Sequence, residues 1–421
     1  MMPNYLQTEF DKILDREYFS KEVHPLRKKA YDNLLRKGLP NKKCEDWRFT
    51  DLSAIKSGDF RISETEDGPK EDIRISDHGL ESLDTIVIYN GHFQKNISSV
   101  PEGITLLSHI DYMKNNGWSV EQPEMTSFDL LNSAFMDSGV SLVIKEKTNI
   151  EVPLRILFIC SGNDNIMITP RIHLDLGESS SLTLVEQHEG NCDEYFYNGS
   201  MIVNIEDDAS LDHVRIQNNS KKTINMCNLH VQQNSRSNYS FSQFAFGGIL
   251  GRINLNANLI GEGVNCSLNG LSLSNDKQHS DAHVITNHHA AHCTSSQNFK
   301  SILKDRSSGV FNGRSIVHEG AEKTDSSQSN NNLLLSQDAL MNSNPQLEIY
   351  TDDVKCSHGS TTGALESDAL FYVQSRGIDE TSARELLVRG FASEIIDMIR
   401  DNEIRDHVIG HFDTWLNGND Q

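Results

Sequence analysis

Positive charge is what this chain lacks most. Sixty Asp and Glu stand against 38 Lys and Arg, a net charge of −22 over 421 residues. Phosphate neutralisation needs a basic face, so nucleic-acid binding is excluded as an expectation, and an anionic membrane would repel the chain. Long apolar runs are missing as well. Segments such as Leu154–Cys160 are short and interrupted by Arg155, far below the roughly 20 apolar residues a spanning helix needs. The N-terminal stretch MMPNYLQTEFDKILDREYFS is too polar for a signal peptide and too acidic for a transit peptide. The seven cysteines (44, 160, 192, 227, 266, 293 and 356) are odd in number, scattered, and form no CxxC pair. That pattern fits reduced thiols in the cytoplasm rather than a disulfide framework. Walker A, GxSxG, HExxH and Rossmann patterns are all absent, which points away from an enzyme and towards a scaffold or a partner.

What is present falls into three zones. Residues 1–138 carry mainly helical signals: Tyr5, Phe10, Ile13, Leu14 and Phe19 recur at helical spacing, as do Leu26, Ala30, Leu34 and Leu35. Gly38 and Pro40 mark a stop after the second run. Within this zone Thr85–Asn90 reads as a strand and Ser127–Met136 as a helix. From 139 to 363 the pattern is all-β, with short alternating segments separated by polar turns: VSLVI, LRILFI, RIHLDL, SLTLVE, LDHVRI, YSFSQF, RINLNANL and CSLNGLSL. Proline hardly enters these segments, which suits a continuous sheet. Strands open at Ser181, Ser210, Asn238 and Asn265, and this drifting period of just under 30 residues suits the coils of a β-solenoid. Two packed sheets are the plainer alternative. Asn330–Asn332 are expected in solenoid turns, where amides can pair along the axis. From 364 to 421 the pattern is helical again. Asp379 is a candidate N-cap, Ser382 with Glu385 a possible capping box, and Ala383, Leu386, Leu387, Phe391, Ile395, Ile396 and Ile399 form a stripe around Gly390.

Three places carry chemistry. His288, His289, His292 and Cys293 are four soft-metal ligands within six residues. The plainer reading is a solvated turn, since neighbouring strand residues point to opposite faces. Cys356 and His358, two residues apart on a presumed strand, share a face and could share a metal or cluster atom, or could be a packed thiol beside a hydrogen-bonded imidazole. The C-terminal stripe either packs on its own domain or presents a docking face.

Residues Thr324–Ala392 contain NNLLLS, PQLEIYTDDVKCSHG, LFYVQSRGI and ARELLVRGFA in order, and Glu45–Leu52 reads EDWRFTDL. In these motifs the chain resembles the SufB/SufD family of iron–sulfur cluster assembly proteins. It is similar to the SufD branch in having Cys356-Ser357-His358-Gly359 and Val373, where the SufB branch has a Cys-Glu-His-Glu-Ala type sequence and a cysteine. Ser360 stands where the family commonly has alanine. The resemblance implies a right-handed parallel β-helix between an N-terminal α/β region and a C-terminal helical region. It implies a non-catalytic scaffold pairing with SufB and binding the ABC-type ATPase SufC through its C-terminal region, around Ala383, Arg384, Leu386, Leu387, Gly390 and Phe391. A transient Fe–S cluster would form at the SufB-facing interface beside His358 and Cys356, with His358 the iron-contacting residue. No tightly bound cofactor is implied, and reduced flavin, proposed for the whole complex, is not assigned to this subunit. A homodimer is expected when the chain is isolated. The resemblance assigns no role to His288, His289, His292 and Cys293. A carbohydrate-active β-helix enzyme, which needs exposed paired carboxylates and an aromatic groove, and a standalone metal-binding protein remain the competing readings. Only 7% of residues are aromatic, which disfavours the first of these.

Overall fold

The structure, a computed structural model, describes residues 2–16, 23–64, 73–116, 125–136, 138–162, 165–190, 192 and 194–418. The N-terminal region holds α1 (Asn4–Asp15), α2 (His24–Lys37) and α3 (Ser53–Ser57), then β1 (Arg61–Ile62), β2 (Asp84–Tyr89), β3 (His92–Phe93) and β4 (Ile104–Ser108), then α4 (His109–Asn116) and α5 (Ser127–Phe135). Helix α2 ends where Gly38, at φ +69°, donates its N–H back to Leu34 O, a conformation that costs glycine least. Phe19 lies outside the described residues.

Eight coils follow. They are β5 (Gly139–Ile144) with β6 (Leu154–Cys160), then β7 (Ile166–Ile168) and β8 (Arg171–Leu176) with β9 (Ser181–Gly190), then β10 (Tyr195–Ile205) with β11 (Ser210–Gln217). Next come β12 (Ile224–Gln233) with β13 (Asn238–Ala245), β14 (Leu250–Leu259) with β15 (Asn265–Ser274), and β16 (His279–His288) with β17 (Thr294–Leu303). The last two are β18 (Ser308–Val317) with β19 (Asp325–Leu334) and β20 (Leu340–Ile349) with β21 (Lys355–Gly363). Even-numbered strands from β8 to β20 stack in parallel in one sheet and odd-numbered strands from β9 to β21 in the other. This is a β-solenoid, and two packed antiparallel sheets are ruled out.

The period seen in the sequence is the coil itself. Ser181, Ser210, Asn238, Asn265, Thr294, Asp325 and Lys355 stand in one register column. At one corner of each coil a residue adopts the left-handed conformation, among them Ser179, Asp208, Arg236, Gly263, His292, Lys323 and Asp353. Each of the first six donates its backbone N–H to a carbonyl of the next coil, as His292 does to Glu322 O. The corners thus continue the hydrogen-bond ladder that the strands make.

Two helical layers cover the outside. Helices α1, α2 and α5 bury Phe10, Ile13, Leu34, Phe128 and Leu131 against Met167, Phe196, Met226 and Leu250 of the first sheet. After the solenoid come α6 (Ser367–Gln374), α7 (Glu380–Ile396) and α8 (Asn402–Leu416). Helices α7 and α8 bury Val388, Ala392, Ile395, Ile404, Val408 and Phe412 against Val185, Val214, Ile216, Phe244, Leu271 and Ile302 of the second sheet. Asp379 caps α7 by accepting from Ser382 N. Ser382 is therefore the third residue of the helix and not a cap, which corrects the capping box expected with Glu385.

The N-terminal region is continuous with the solenoid. β2 pairs in parallel with β6, and β4 pairs antiparallel with β5, so the first coil has neighbours on both sheets. The EDWRFTDL element docks on the outer face. Arg252 lies 3.7 Å from the Trp47 ring centroid, donates to Asp46 O at 2.9 Å, and pairs with buried Asp281, to which Thr50 also donates. Asn330–Asn332 lie in the middle of β19, not in a turn. Their amides still bond across coils, Asn330 to Phe299 O and Asn332 to Thr361 O.

Candidate functional site at the open end of the solenoid

Along a solenoid strand alternate side chains point inward, so register stacks inward residues into columns through the lumen. One column of the second sheet runs Leu182, Leu211, Tyr239, Cys266, Ser295, Ser326, Cys356. The next runs Leu184, His213, Phe241, Leu268, Gln297, Gln328, His358. Cys356 and His358 therefore share the inward face of the last strand, at the end of the lumen.

That end is open. β20 and β21 pair with β18 and β19 on one side, and among the described residues no strand pairs with their other edges. No residue of β20 or β21 is buried. Their inward side chains, Ser343, Pro345 and Leu347 opposite Cys356, His358 and Ser360, face outward along the axis, and Ser360 Oγ donates to Ser343 Oγ at 2.7 Å. Pro345 is tolerated because the strand is an edge. Leu340, Ile349 and Tyr350 add exposed apolar surface around the rim.

Behind the end the lumen is polar. His288 Nε2 meets Ser295 Oγ at 2.8 Å, Ser295 meets Ser326 at 2.9 Å, and Ser326 donates to Ser315 at 3.0 Å. Gln328 donates to Ser315 at 3.0 Å and to Gln297 Oε1 at 3.3 Å. Gln328 is the register neighbour of His358. The Cys356 thiol is pushed above its usual range, first by burial and then by the Asp325 carboxylate. Lys355 does not activate it, so Cys356 is a thiol at neutral pH and a poor nucleophile. His358 is exposed, and a neutral imidazole or a deprotonated thiol at such a mouth is a competent iron ligand.

The His288–Cys293 group does not converge. His288 points into the lumen, His289 stacks on His318 at 4.2 Å between centroids, and His292 occupies a left-handed corner in solvent. Cys293 is fully buried, with Sγ against Gly261 O. A metal centre built from these four is ruled out by the corner that separates them, and with it the standalone metal-binding reading based on this cluster.

The C-terminal stripe divides. Ala383, Val388, Ala392, Ile395, Ile396 and Ile399 are buried. Phe391 is half-buried under Lys300, whose Nζ lies 4.4 Å from the ring centroid. Leu387 is half-buried, Gly390 is exposed, and Arg384 is exposed and bonded to Glu380. Leu386 is 51% exposed. Sequence reasoning missed its companions on α6, which has no buried residue and shows Phe371 at 72% and Tyr372 at 58% exposure. The signal available was the adjacent Phe-Tyr pair in a short helix with no apolar period.

A family model described as SUF system FeS cluster assembly, SufBD core domain, matches residues 158–391, and one described as SufBD protein N-terminal region matches residues 5–156. The chain belongs to the SufB/SufD family of the SUF iron–sulfur cluster assembly system. Among SufB/SufD relatives, the iron–sulfur cluster assembly protein SufD of Escherichia coli is 28% identical over 400 residues, covering 94% of this chain and 93% of the relative. A Synechocystis member of the SufBD family is 30% identical, covering 89% and 86%. A chloroplastic Arabidopsis protein is 29% identical, covering 92% and 84%. The SufD branch read from Cys356-Ser357-His358-Gly359 agrees with the first of these. The SufB/SufD assignment also removes the basis for a carbohydrate-active enzyme. Among the described residues no helix is long and apolar enough to cross a membrane.

Proposed function

We propose that this chain is a non-catalytic scaffold subunit of cytoplasmic iron–sulfur cluster assembly, whose open solenoid end pairs with the matching end of a SufB-type subunit. The observation that carries the reading is the terminal coil. Among the described residues, two adjacent edge strands of 10 and 9 residues have no strand paired along their outer edges and none of their residues is buried. Long bare edges are templates for strand pairing, and stable chains otherwise blunt them. A partner solenoid end continues both sheets and closes the lumen over His358 and Cys356. The nascent cluster, as cargo, then lies between the two subunits, with His358 as the contact from this chain and Cys356 secondary. The isolated chain pairs with itself through the same end, as a self-complementary edge allows.

The second surface is the outer face of α6 and the start of α7. Phe371, Tyr372 and Leu386 stand outside the core that holds Val388 and Ala392, which supports docking of the ABC-type ATPase there. Ala383 is buried and acts through the helix it anchors. Arg384, Leu387, Gly390 and Phe391 border the exposed face.

Co-expression with a SufB-type subunit and the ATPase tests both surfaces. Leu347→Lys with Ser360→Lys should abolish SufB-type capture and leave ATPase capture intact, whereas Leu386→Glu with Phe371→Glu should do the reverse. Unchanged capture in both double variants would sink the assignment.

A further inference from the structure

On the opposite side of the second sheet from the lumen, three segments distant in sequence bring nitrogen and oxygen ligands together. Helix α8 carries His407 and His411 four residues apart, which places both imidazoles on one face. β9 contributes Glu189, which points outward toward that helix. The segment Ile75–His78 contributes His78, whose Nδ1 bonds Glu189 Oε2 at 2.6 Å. His407 Nε2 and His411 Nε2 are 3.1 Å apart, His411 Nε2 lies 3.8 Å from Glu189 Oε1, and the three ligand atoms all fall within 4.8 Å of one another.

We propose that Glu189, His407 and His411 form a site for a divalent first-row cation, independent of the cluster-assembly end of the molecule. Two nitrogens bound to one tetrahedral zinc at the usual bond length stand about 3.3 Å apart, close to the spacing already present here. Two imidazoles and one carboxylate are the donor set of open zinc sites and of the facial triad that holds ferrous iron.

The surroundings prepare these ligands. His78 occupies one carboxylate oxygen and leaves Oε1 turned to the histidines, as outer-shell partners of metal ligands do. Asn218 Nδ2 meets His411 Nδ1 at 3.2 Å and fixes the ring; turned end for end, the same carboxamide would accept from Nδ1–H and free Nε2. Gly79 packs against the His407 ring. At φ +66° it sits where other residues are strained, and a Cβ there would lie 2.8 Å from His407 Cε1. Gln187 Nε2 reaches both Glu189 Oε1, at 2.7 Å, and His407 Nε2, at 3.2 Å, so the amide stands where an ion would enter and must give way to it, and Arg155 holds Gln187 Oε1 at 3.2 Å. Arg155 acts on His407 from nearby, against the opposite pull of Glu189 and Glu403. Glu189 and His411 keep 15% and 17% of their side chains exposed, which leaves a route for an ion. Without a cation, a proton on one imidazole bridges the histidines only. A divalent ion bridges them and draws in Glu189, joining α8 to the solenoid.

Metal-stripped full-length protein titrated with Co(II) should show tetrahedral ligand-field bands that saturate at one equivalent and collapse when one equivalent of Zn(II) is added. Anaerobic Fe(II) competing against Co(II) separates an iron preference from a zinc one, and either supports the site. His407→Ala and His411→Ala should each weaken Co(II) binding by 100-fold or more, and His288→Ala should leave it unchanged. Because a variant could unfold, His411→Gln is paired with thermal denaturation. Zn(II) should raise the melting temperature of the parent chain over its value in EDTA, since a ligand of the native state alone must stabilise it. His411→Gln should melt as the parent does in EDTA and ignore zinc. No band at one equivalent, no zinc response in the parent, or binding that survives in the His407→Ala/His411→Ala double variant overturns the proposal.

Discussion

The two ends of the solenoid are built from the same coil and differ in nearly everything else. At the N-terminal end β2 and β4 cover the first coil, and the lumen holds Leu142, Ile156, Leu174, Leu184 and Phe158, with one buried charged group, Glu186 paired with His188, His213 and Arg215, in the next two coils. At the other end no strand among the described residues pairs with the outer edge of β21, and the lumen changes to Ser295, Gln297, Ser315, Ser326 and Gln328. An apolar lumen gains from every coil stacked on it, whereas a polar one must satisfy each hydroxyl and amide. A chain made only to be stable would carry leucine to its last coil and end in a cap. Along the Leu182 column the gradient runs from leucine at the covered end to serine and cysteine at the open one.

That contrast can be broken from either side, and the largest effect belongs to an apolar lumen position. Phe241→Ala removes a fully buried ring from the middle of the lumen and should cost about 3–5 kcal/mol in urea denaturation, as truncated core aromatics do. Gln328→Ala, at the register-equivalent position in the polar part, should cost about 1–3 kcal/mol, because it removes the donor to Ser315 Oγ and to buried Gln297 Oε1. Equal losses would mean that the gradient has no energetic meaning.

Acid should act at the polar end as well. Burial, and then the charges of His289 and His318, push His288 down from 6.5 to about 4. The unfolded chain therefore takes up this proton first. Stability from this group is complete above pH 6.5 and declines as pH falls from 6.5 toward 4. Between pH 8 and pH 5 the parent should lose on the order of 2 kcal/mol more than His288→Asn does, read by urea titrations at both values. A variant with an unchanged pH slope would contradict this account of His288.

The smallest stability effects and the clearest functional ones are expected at the mouth. His358 is exposed, so His358→Ala should change stability by less than about 0.5 kcal/mol. It should nevertheless slow cluster formation in the reconstituted complex, with assembly intact, and Cys356→Ser should slow it less. Wild-type rates in His358→Ala complexes would remove this residue from the chemistry. The bare edge makes its own prediction for the isolated chain: dilution should dissociate a homodimer, and Leu347→Lys should weaken it at least tenfold at unchanged melting temperature.

Much of the fold was legible along the sequence because its signals are local. Strand starts at Ser181, Ser210, Asn238 and Asn265 followed from alternation and polar turns, and Asp379 and Gly38 mark helix ends by chemistry confined to a few residues. The pairing of Cys356 with His358 on one face followed from strand geometry alone. The signals that failed depended on more than local pattern. Ser382 carried a cap pattern that Asp379 occupied first, and Asn330–Asn332 had turn chemistry in mid-strand, where an axial neighbour satisfies the amide. His288, His289, His292 and Cys293 were adjacent in sequence, yet a left-handed corner sends them in different directions.

The chain's own order of residues therefore determined the coil, its period and the alternation of inward and outward side chains. Those follow from backbone geometry and the burial of every second residue. Only the tertiary structure decided which residues meet. Stacking aligned Leu182 with Cys356 in one column across seven coils, so the change from apolar to polar lumen became visible only with register. Stacking also left the outer edges of the last two strands without a paired strand among the described residues, and the packing of α8 on β9 brought His407 and His411 to Glu189. Burial of one helix face and of one sheet face is a property of the assembled layers. No stretch of sequence contains it, because the facing surfaces are far apart along the chain, as His407 is from Glu189, more than 200 residues away.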